Sequence, residues 1–196
     1  MRILFLQLFS KSQIIFNESF YTVPKRSFFY WLTFIFNRVD EDRIKEVGPD
    51  RACAEWLLKN GASVRWKGSP KLLSDYNILI SEAGRHYIEA VDATDSGISH
   101  IGFPYFEGCK YIEEVKLINC KYIDNRAMPL LSILKDTLTH FELVNCKGVD
   151  DEGIRDLKEL KNLKTLKIVG SVYLKDKDSV HKELSKNLPN CEIDFK

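Results

Sequence analysis

The side chains of this sequence that could carry catalytic or metal chemistry are five cysteines and four histidines. The cysteines are odd in number and show no CxxC spacing, unlike a zinc site or a disulfide framework. The histidines have neither metal-ligand nor catalytic-triad spacing, and no GxxxxGKS, GxxxxGKT or GxGxxG segment is present to hold a nucleotide phosphate. We therefore expect a protein that is not an enzyme, with reduced structural thiols and histidines in turns or at the surface. The residues concerned are Cys53, Cys109, Cys120, Cys146, Cys191, His86, His100, His140 and His181.

Two of these cysteines, Cys120 and Cys146, occupy the same place in a phrase that occurs twice. VKLINCKYID begins at Val115, and FELVNCKGVD begins at Phe141, 26 residues later. In each copy a short strand points alternate apolar residues into a core, and Asn or Cys closes the following turn. A period in the twenties is typical of a leucine-rich repeat, in which each copy makes one coil of a solenoid.

Further copies of the phrase extend the pattern in both directions. Related segments occupy 166–171, 25 residues after the second copy, and 91–96, 24 residues before the first. A more degenerate copy occupies 64–66, and residues 192–195 can close the far end. The spacing predicts four coils, and a fifth if the segment at 64–66 forms one.

Apolar residues between these segments recur with helical spacing, which predicts helices between the strands. The fold class is therefore α/β, a short leucine-rich repeat solenoid over 64–196 with parallel strands inside and helices outside. Coils of this kind bury their apolar faces only by stacking, and the ends need caps. We expect residues 27–63 to form a small helical cap domain. The helical positions are Leu130, Leu131, Leu134, Ile154, Leu157, Leu160 and Leu163.

The N-terminal region differs from the rest in charge. The whole chain of 196 residues has a formal net charge of +1, yet residues 1–39 contain five basic residues and one acidic residue. A basic, Phe- and Ser-rich segment with few acids is typical of a mitochondrial targeting segment, which we place at 1–26. A surface arm and a secretory signal are the alternatives. No stretch approaches the roughly 20 apolar residues that cross a bilayer, so we expect any membrane contact to be peripheral.

Two predicted helices precede the repeats. The aromatic stretch at 28–36 is either a core helix that caps the solenoid or a face for a membrane surface or a partner. We favour the cap helix, with part of it exposed. The second helix runs from about Pro49, with Asp50 in its first turn, to the stop signal Asn60-Gly61.

The same region resembles a known family. The segments WL at 31–32, FNRVD at 36–40, VGPDRA at 47–52, EWLL at 55–58 and VDATDS at 91–96 are similar to mitochondrial ATP synthase subunit s, also called coupling factor B. The likeness extends over about 29–195. It implies a helical N-terminal domain, about four leucine-rich repeats and no catalytic activity.

The resemblance also implies a location and a role. Members are peripheral proteins on the matrix side of the mitochondrial inner membrane, and they support proton-coupled ATP synthesis by limiting a proton leak. The implied partner is the membrane sector of ATP synthase. The related distal membrane arm assembly component 2 shares the repeats and acts in respiratory complex I assembly, which remains the alternative.

A magnesium ion bound through backbone carbonyls is implied by the family at the positions of Gly61 and Thr94. Carbonyl and water ligands suit this hard cation, and Asp92 and Asp95 flank Thr94 as outer acids. The alternative is a tight turn with solvated aspartates. The Cys-x-Cys of mammalian members is replaced by residues 118–120, INC, so a dithiol function does not carry over.

Other binding classes have weaker support. The lysine-rich stretch 158–177 contains interleaved acids and one aromatic residue, which favours a solvated helix face over nucleic-acid binding. A substrate-recognition subunit of a ubiquitin ligase would need an F-box pattern, and residues 1–62 lack one. We expect neither a nucleic-acid partner nor a small-molecule substrate.

Overall fold

The computed structural model describes residues 25–81, 84, 86–170 and 174–195, so most of the predicted targeting segment 1–26 lies outside the described residues. The helices are α1 (Lys25–Asn37), α2 (Glu41–Val47), α3 (Pro49–Lys59), α4 (Tyr76–Ser81), α5 (Ala127–Leu130), α6 (Asp151–Asp156) and α7 (Lys177–Asn187). Short 3-10 helices cover His100–Phe106, Leu131–Leu134 and Leu157–Glu159. The strands are β1 (Ser63–Trp66), β2 (Leu72–Leu73), β3 (Ile88–Asp92), β4 (Glu114–Ile118), β5 (His140–Val144), β6 (Thr165–Val169) and β7 (Glu192–Phe195).

These seven strands form one sheet in the order β2-β1-β3-β4-β5-β6-β7. Neighbouring strands are parallel from β3 to β7, whereas β1 runs antiparallel to both β2 and β3. The predicted α/β class is confirmed, and a strand lies at each copy of the repeated phrase. The idea that the segment at 64–66 adds a parallel coil is wrong. Alternating apolar residues determine which side chains face the core, not the direction in which a strand runs.

The strand register explains the period of the sequence. Val115 lies opposite Phe141, which lies opposite Leu166, and all three side chains are buried. The apolar pair of each copy is therefore covered by the apolar pairs of the neighbouring copies. The next buried row of the sheet contains Leu117, Leu143 and Ile168.

The turns that follow β4, β5 and β6 share a left-handed residue. Asn119, Asn145 and Gly170 have φ values of 55°, 53° and 65°, and Asn and Gly adopt this conformation at the lowest cost. The side-chain amide of Asn145 donates to Oδ1 of Asn119 at 3.1 Å. A Cβ atom at position 170 would overlap the side chain of Asn145, so the ladder of asparagine side chains requires glycine at its third step.

The two repeat cysteines serve as buried donors beside these turns. The thiol of Cys120 donates to the Ala93 carbonyl at 2.9 Å, and that of Cys146 donates to the Leu117 carbonyl at 3.3 Å. Each bond links one coil to the preceding one. The five cysteines are free thiols in the structure, and the equivalent placement of Cys120 and Cys146 is explained by packing and these bonds.

The N-terminal helices pack beside the first strands. Asp40 is the N-cap of α2, and its side chain accepts a hydrogen bond from the Arg43 amide at 2.9 Å. Pro49 begins α3, and Asn60 ends it, which confirms the predicted helix. Within the described residues, no helix is both long enough and apolar enough to cross a membrane.

Candidate interaction surface and metal site

A buried asparagine joins α1 to the rest of the protein. The side chain of Asn37 is fully buried. Its amide nitrogen lies 3.0 Å from the Gly97 carbonyl and 3.3 Å from Oδ1 of Asn60. Its oxygen accepts from the Trp56 indole N–H at 3.1 Å and from the Ser99 amide at 2.9 Å. One side chain therefore connects the end of α1 with α3 and with the loop after β3.

The indole that Asn37 binds lies in an aromatic cluster. Trp56 stacks on Tyr105 with ring centroids 5.4 Å apart, and it forms a T-shaped pair with Phe106, with ring centroids 5.5 Å apart. A Cβ atom at Gly102 would overlap the Trp56 ring, so the absence of a side chain there permits the close approach. The Tyr105 hydroxyl accepts from the Asp40 amide at 2.9 Å. The cluster therefore also holds the start of α2.

Four large apolar side chains of α1 before Asn37 are exposed. Trp31, Phe34, Ile35 and Phe36 are 56%, 50%, 43% and 47% exposed, and we call these four residues the α1 apolar face. Trp31, Phe34 and Ile35 have the i, i+3, i+4 spacing that places side chains on one side of a helix. These four side chains are not part of the core, so the helix predicted at 28–36 has the partial exposure that the prediction allowed. Asn37 holds the C-terminal end of α1, and the four apolar residues before it are left exposed.

The family-like VGPDRA and EWLL segments contain two buried acids. Asp50 is 6% exposed, and its carboxylate accepts from the Ile88 amide at 2.8 Å. Burial raises the pKa of Asp50. Glu55 is 3% exposed and accepts two bonds from the Arg43 guanidinium, at 2.9 and 2.7 Å. The hydrogen bond to Glu55 raises the pKa of Arg43. These contacts join α3 to β3 and to α2.

Sequence reasoning treated Asn37, Asp50 and Glu55 as markers of a family and missed their burial. The available signal was their position among apolar and aromatic residues, since a buried polar group needs a specific partner. The identity of those partners is not encoded in the local sequence.

The predicted metal residues Gly61 and Thr94 lie just outside the strands β1 and β3. The antiparallel pairing of β1 with β3 ends with Ser63 opposite Asp92, and Gly61 and Thr94 each lie two residues beyond this last pair. Both residues are exposed. Gly61 has a φ of 83°, a conformation that glycine adopts readily. The proximity of Gly61 to Thr94 stays a prediction.

The surrounding groups limit the kind of cation that fits there. Oδ1 of Asp92 already accepts from the amide and the hydroxyl of Thr94, at 3.0 and 2.6 Å. Among the described residues, no group of three or more His, Cys, Asp or Glu side chains can hold a metal ion. Mg²⁺ requires six oxygen ligands, and the two predicted carbonyl ligands would supply only two of them. The residues present therefore fit a largely hydrated Mg²⁺ and not an ion enclosed by protein.

Comparison with known proteins gives close relatives. The chain is 40% identical over 191 residues to rat mitochondrial ATP synthase subunit s, covering 95% of this chain and 93% of the relative. It is 40% identical over 172 residues to the bovine protein of that name, covering 86% of each. It is 38% identical over 177 residues to the human one, covering 88% of each. No family model matches the chain.

Proposed function

This chain belongs to the mitochondrial ATP synthase subunit s family, and from that membership we propose that it is a non-catalytic mitochondrial protein that associates with ATP synthase. We place it on the matrix side of the inner membrane, bound to the membrane sector of the enzyme. There it supports proton-coupled ATP synthesis by limiting a proton leak. The relatives' names and the coverage of both chains support the association. The α1 apolar face is the observation that carries the mode of attachment.

The α1 apolar face suits a peripheral membrane contact. Trp31 and the two exposed phenylalanines of the face are the side chains that enter the headgroup region of a bilayer most readily. A helix that lies on the membrane surface does not need the length of a membrane-spanning helix, and α1 is 13 residues long.

We further propose that 64–196 is a short leucine-rich repeat domain with 27–63 as its cap. The in-register parallel strands from β3 to β7 support this, with β1 and β2 as an antiparallel edge. The exposed side of the sheet presents residues of alternating charge on adjacent strands, since the register aligns them in one row. Such a row contributes specificity more than affinity to a protein partner. The row contains Asp92, Lys116, Glu142, Lys167 and Asp194.

The association is tested with a tagged copy in cells. Intact inner-membrane complexes are separated on a native gel, and the proteins that co-migrate with the tag are identified. Co-migration with ATP synthase is the expected result. Co-migration with assembly intermediates of respiratory complex I alone would refute the proposal and favour the alternative role.

The contribution of α1 is tested in the same cells with a matched pair of variants. Phe34→Ser removes half-exposed apolar surface from the α1 apolar face, and we expect it to release the protein from membranes at lower salt. Ile133→Ser removes an apolar side chain of 37% exposure from a different element and is expected to have no effect. Equal release of both variants would contradict a specific role of α1. Proton leak is then compared in vesicles from cells with and without the protein.

The magnesium site remains a proposal of its own, with Gly61 and Thr94 as carbonyl ligands. Titration calorimetry of the full chain with MgCl₂ is expected to show saturable heat that Asp95→Asn weakens. Asp75→Asn, a change of an exposed acid in another loop, is the control. If the titration gives only the heat of dilution, the proposed magnesium site is refuted.

A further inference from the structure

The parallel part of the sheet buries only one of its two faces. Along β4, β5 and β6, buried residues alternate with residues that keep part of their surface exposed. Most parallel sheets are covered on both faces. We call this accessible side of the sheet the open sheet face. Its side chains are in contact with solvent, so a partner can reach them.

An apolar row crosses the open sheet face. Ile118 lies opposite Val144, and Val144 lies opposite Val169. All three residues are partly exposed. Since neighbouring strands are about 4.8 Å apart, the row is about 10 Å long. Single exposed apolar residues are common on protein surfaces, whereas a contiguous strip is the kind of surface that a partner can cover.

The charges beside this row are mostly negative. The row of alternating charges on β3 to β7, which we call the charge row, has three acids and two lysines. Glu114 and Glu192 lie in the next row, where Arg65 is bound by Glu89 and Glu114. Six acids against three bases give the open sheet face a net charge of −3, with His140 counted as neutral. The whole chain has a net charge of +1, so the negative charge is local to this face.

The two lysines of the charge row already have acidic partners. Nζ of Lys116 lies 2.9 Å from Oε1 of Glu114, and Nζ of Lys167 lies 3.4 Å from Oε2 of Glu142. The charge left in excess on the face is therefore negative. A partner with basic residues complements it, and an acidic partner is repelled.

We propose that the open sheet face binds an amphipathic α-helix of a partner protein, whose apolar stripe is flanked by lysines and arginines. One turn of helix rises about 5.4 Å, which is close to the distance between neighbouring strands. A helix that crosses the strands can therefore set one apolar side chain over each of Ile118, Val144 and Val169. Its basic flank then faces the charge row, which lies two residues, or about 6.6 Å, along each strand from the apolar row.

An extended segment fits this face less well. Alternate side chains of a strand are about 6.6 Å apart, so they lose register with strands that are about 4.8 Å apart. The backbone groups of β4, β5 and β6 are paired within the sheet, so the face offers no main chain to an added strand. That the helix belongs to ATP synthase rests on the proposed function, whereas the chemistry of the helix does not.

The test uses the full chain in solution and three fluorescent peptides of about 18 residues, or five helical turns. The first peptide has leucines with helical spacing and lysines on both flanks of that stripe. The second has glutamate in place of each lysine, and the third has the composition of the first in an order without a stripe. Fluorescence anisotropy is expected to show saturable binding of the first peptide alone, and added salt should weaken it. Amide shifts of the ¹⁵N-labelled protein should then map to 116–118, 142–144 and 167–169.

Two matched pairs of variants locate the binding. Val144→Ser shortens an apolar side chain of the row, whereas Ile133→Ser shortens an exposed one outside it. Glu142→Gln and Glu159→Gln each remove one negative charge, the first from the open sheet face and the second from a 3-10 helix. We expect Val144→Ser and Glu142→Gln to weaken binding about fivefold, an ordinary effect for one interface residue. Their controls should bind like the unchanged protein, and all four should fold normally because none of these side chains belongs to the buried core.

Four results would each overturn the proposal. They are no binding of the first peptide, equally tight binding of the second or third peptide, equal affinities within both pairs of variants, and amide shifts confined to α1. These measurements use the isolated protein, whereas the association with ATP synthase is read from native gels. Peptide binding without co-migration would therefore refute the proposed function alone, and co-migration without peptide binding would refute the helix-binding face alone.

Discussion

Replacement of Asn37 by Ala should show how much of the stability of the N-terminal region depends on one buried amide. The change removes the acceptor for two buried donors, the Trp56 indole N–H and the Ser99 amide. It also removes the donor that binds the Gly97 carbonyl. Trp56 is 2% exposed and Ser99 is 5% exposed, so bulk water does not reach either donor without a rearrangement.

The expected cost follows from these orphaned groups. A buried donor that loses its partner costs about 1–3 kcal/mol, so two donors give about 4 kcal/mol at the centre of the range. A water molecule that enters the vacated space would reduce this to about 2 kcal/mol. Because 1 kcal/mol lowers Tm by about 2–4 °C in a domain of this size, we expect Tm to fall by roughly 10 °C.

Urea unfolding followed by circular dichroism measures the change in the free energy of unfolding, and amide hydrogen exchange locates it. We expect faster exchange at 33–37 and 97–99 and little change in β4 to β6. The control is Asn162→Ala, which removes one exposed hydrogen bond to the Lys135 carbonyl and should cost less than about 0.5 kcal/mol. If Asn37→Ala lowers the free energy of unfolding no more than the control does, Asn37 does not stabilise the junction of α1 with α3 and the loop after β3.

Three other predictions test packing, charge and thiol chemistry. Gly102→Ala should lower the free energy of unfolding, measured in urea, by about 1–3 kcal/mol, because the new Cβ would overlap the Trp56 ring. In the control Gly97→Ala the nearest atom to the new Cβ is 3.6 Å away, so this change should be near neutral. Equal costs of the two changes would contradict the packing argument. Burial raises the pKa of Asp50, so its ionisation disfavours the folded state at neutral pH. Asp50→Asn should therefore be more stable than the unchanged protein at pH 7, by a margin that shrinks towards about pH 4, and a variant less stable at pH 7 would show that the charge itself is needed. Ellman's reagent should modify only Cys191 among the five cysteines of the native protein. The reaction should be slow at pH 8, because burial raises the pKa of that thiol to about 11. Rapid modification of two or more cysteines would contradict the burial of the repeat thiols.

The accuracy of sequence reasoning depended on the range of the interactions involved. The strands at Val115 and Phe141 and the helix that begins at Pro49 were found because their signals lie within about ten residues. Side-chain alternation and helix capping are properties of consecutive residues. The exposure of the α1 apolar face was allowed for but was not assigned to particular residues, because an aromatic helix gives the same pattern whether its apolar side is covered or free.

For the candidate metal site, the sequence placed Gly61 and Thr94 together, and that pairing stays a prediction. The structure places the two residues just beyond the paired ends of β1 and β3, although β1 runs opposite to the direction expected.

The sequence alone determined the period of the sheet, the buried rows and the family, because each rests on the order of residues along a short segment or on matched motifs. The tertiary structure decided the direction of β1, the burial of Asn37 and the exposure of the four apolar residues before it. Asn37 meets partners 60 and 62 residues away, and the free energy of burying a polar group depends on such partners rather than on its neighbours in the chain. Whether α1 is a covered cap helix or an exposed docking surface is decided in the same way, by which distant residues pack against it.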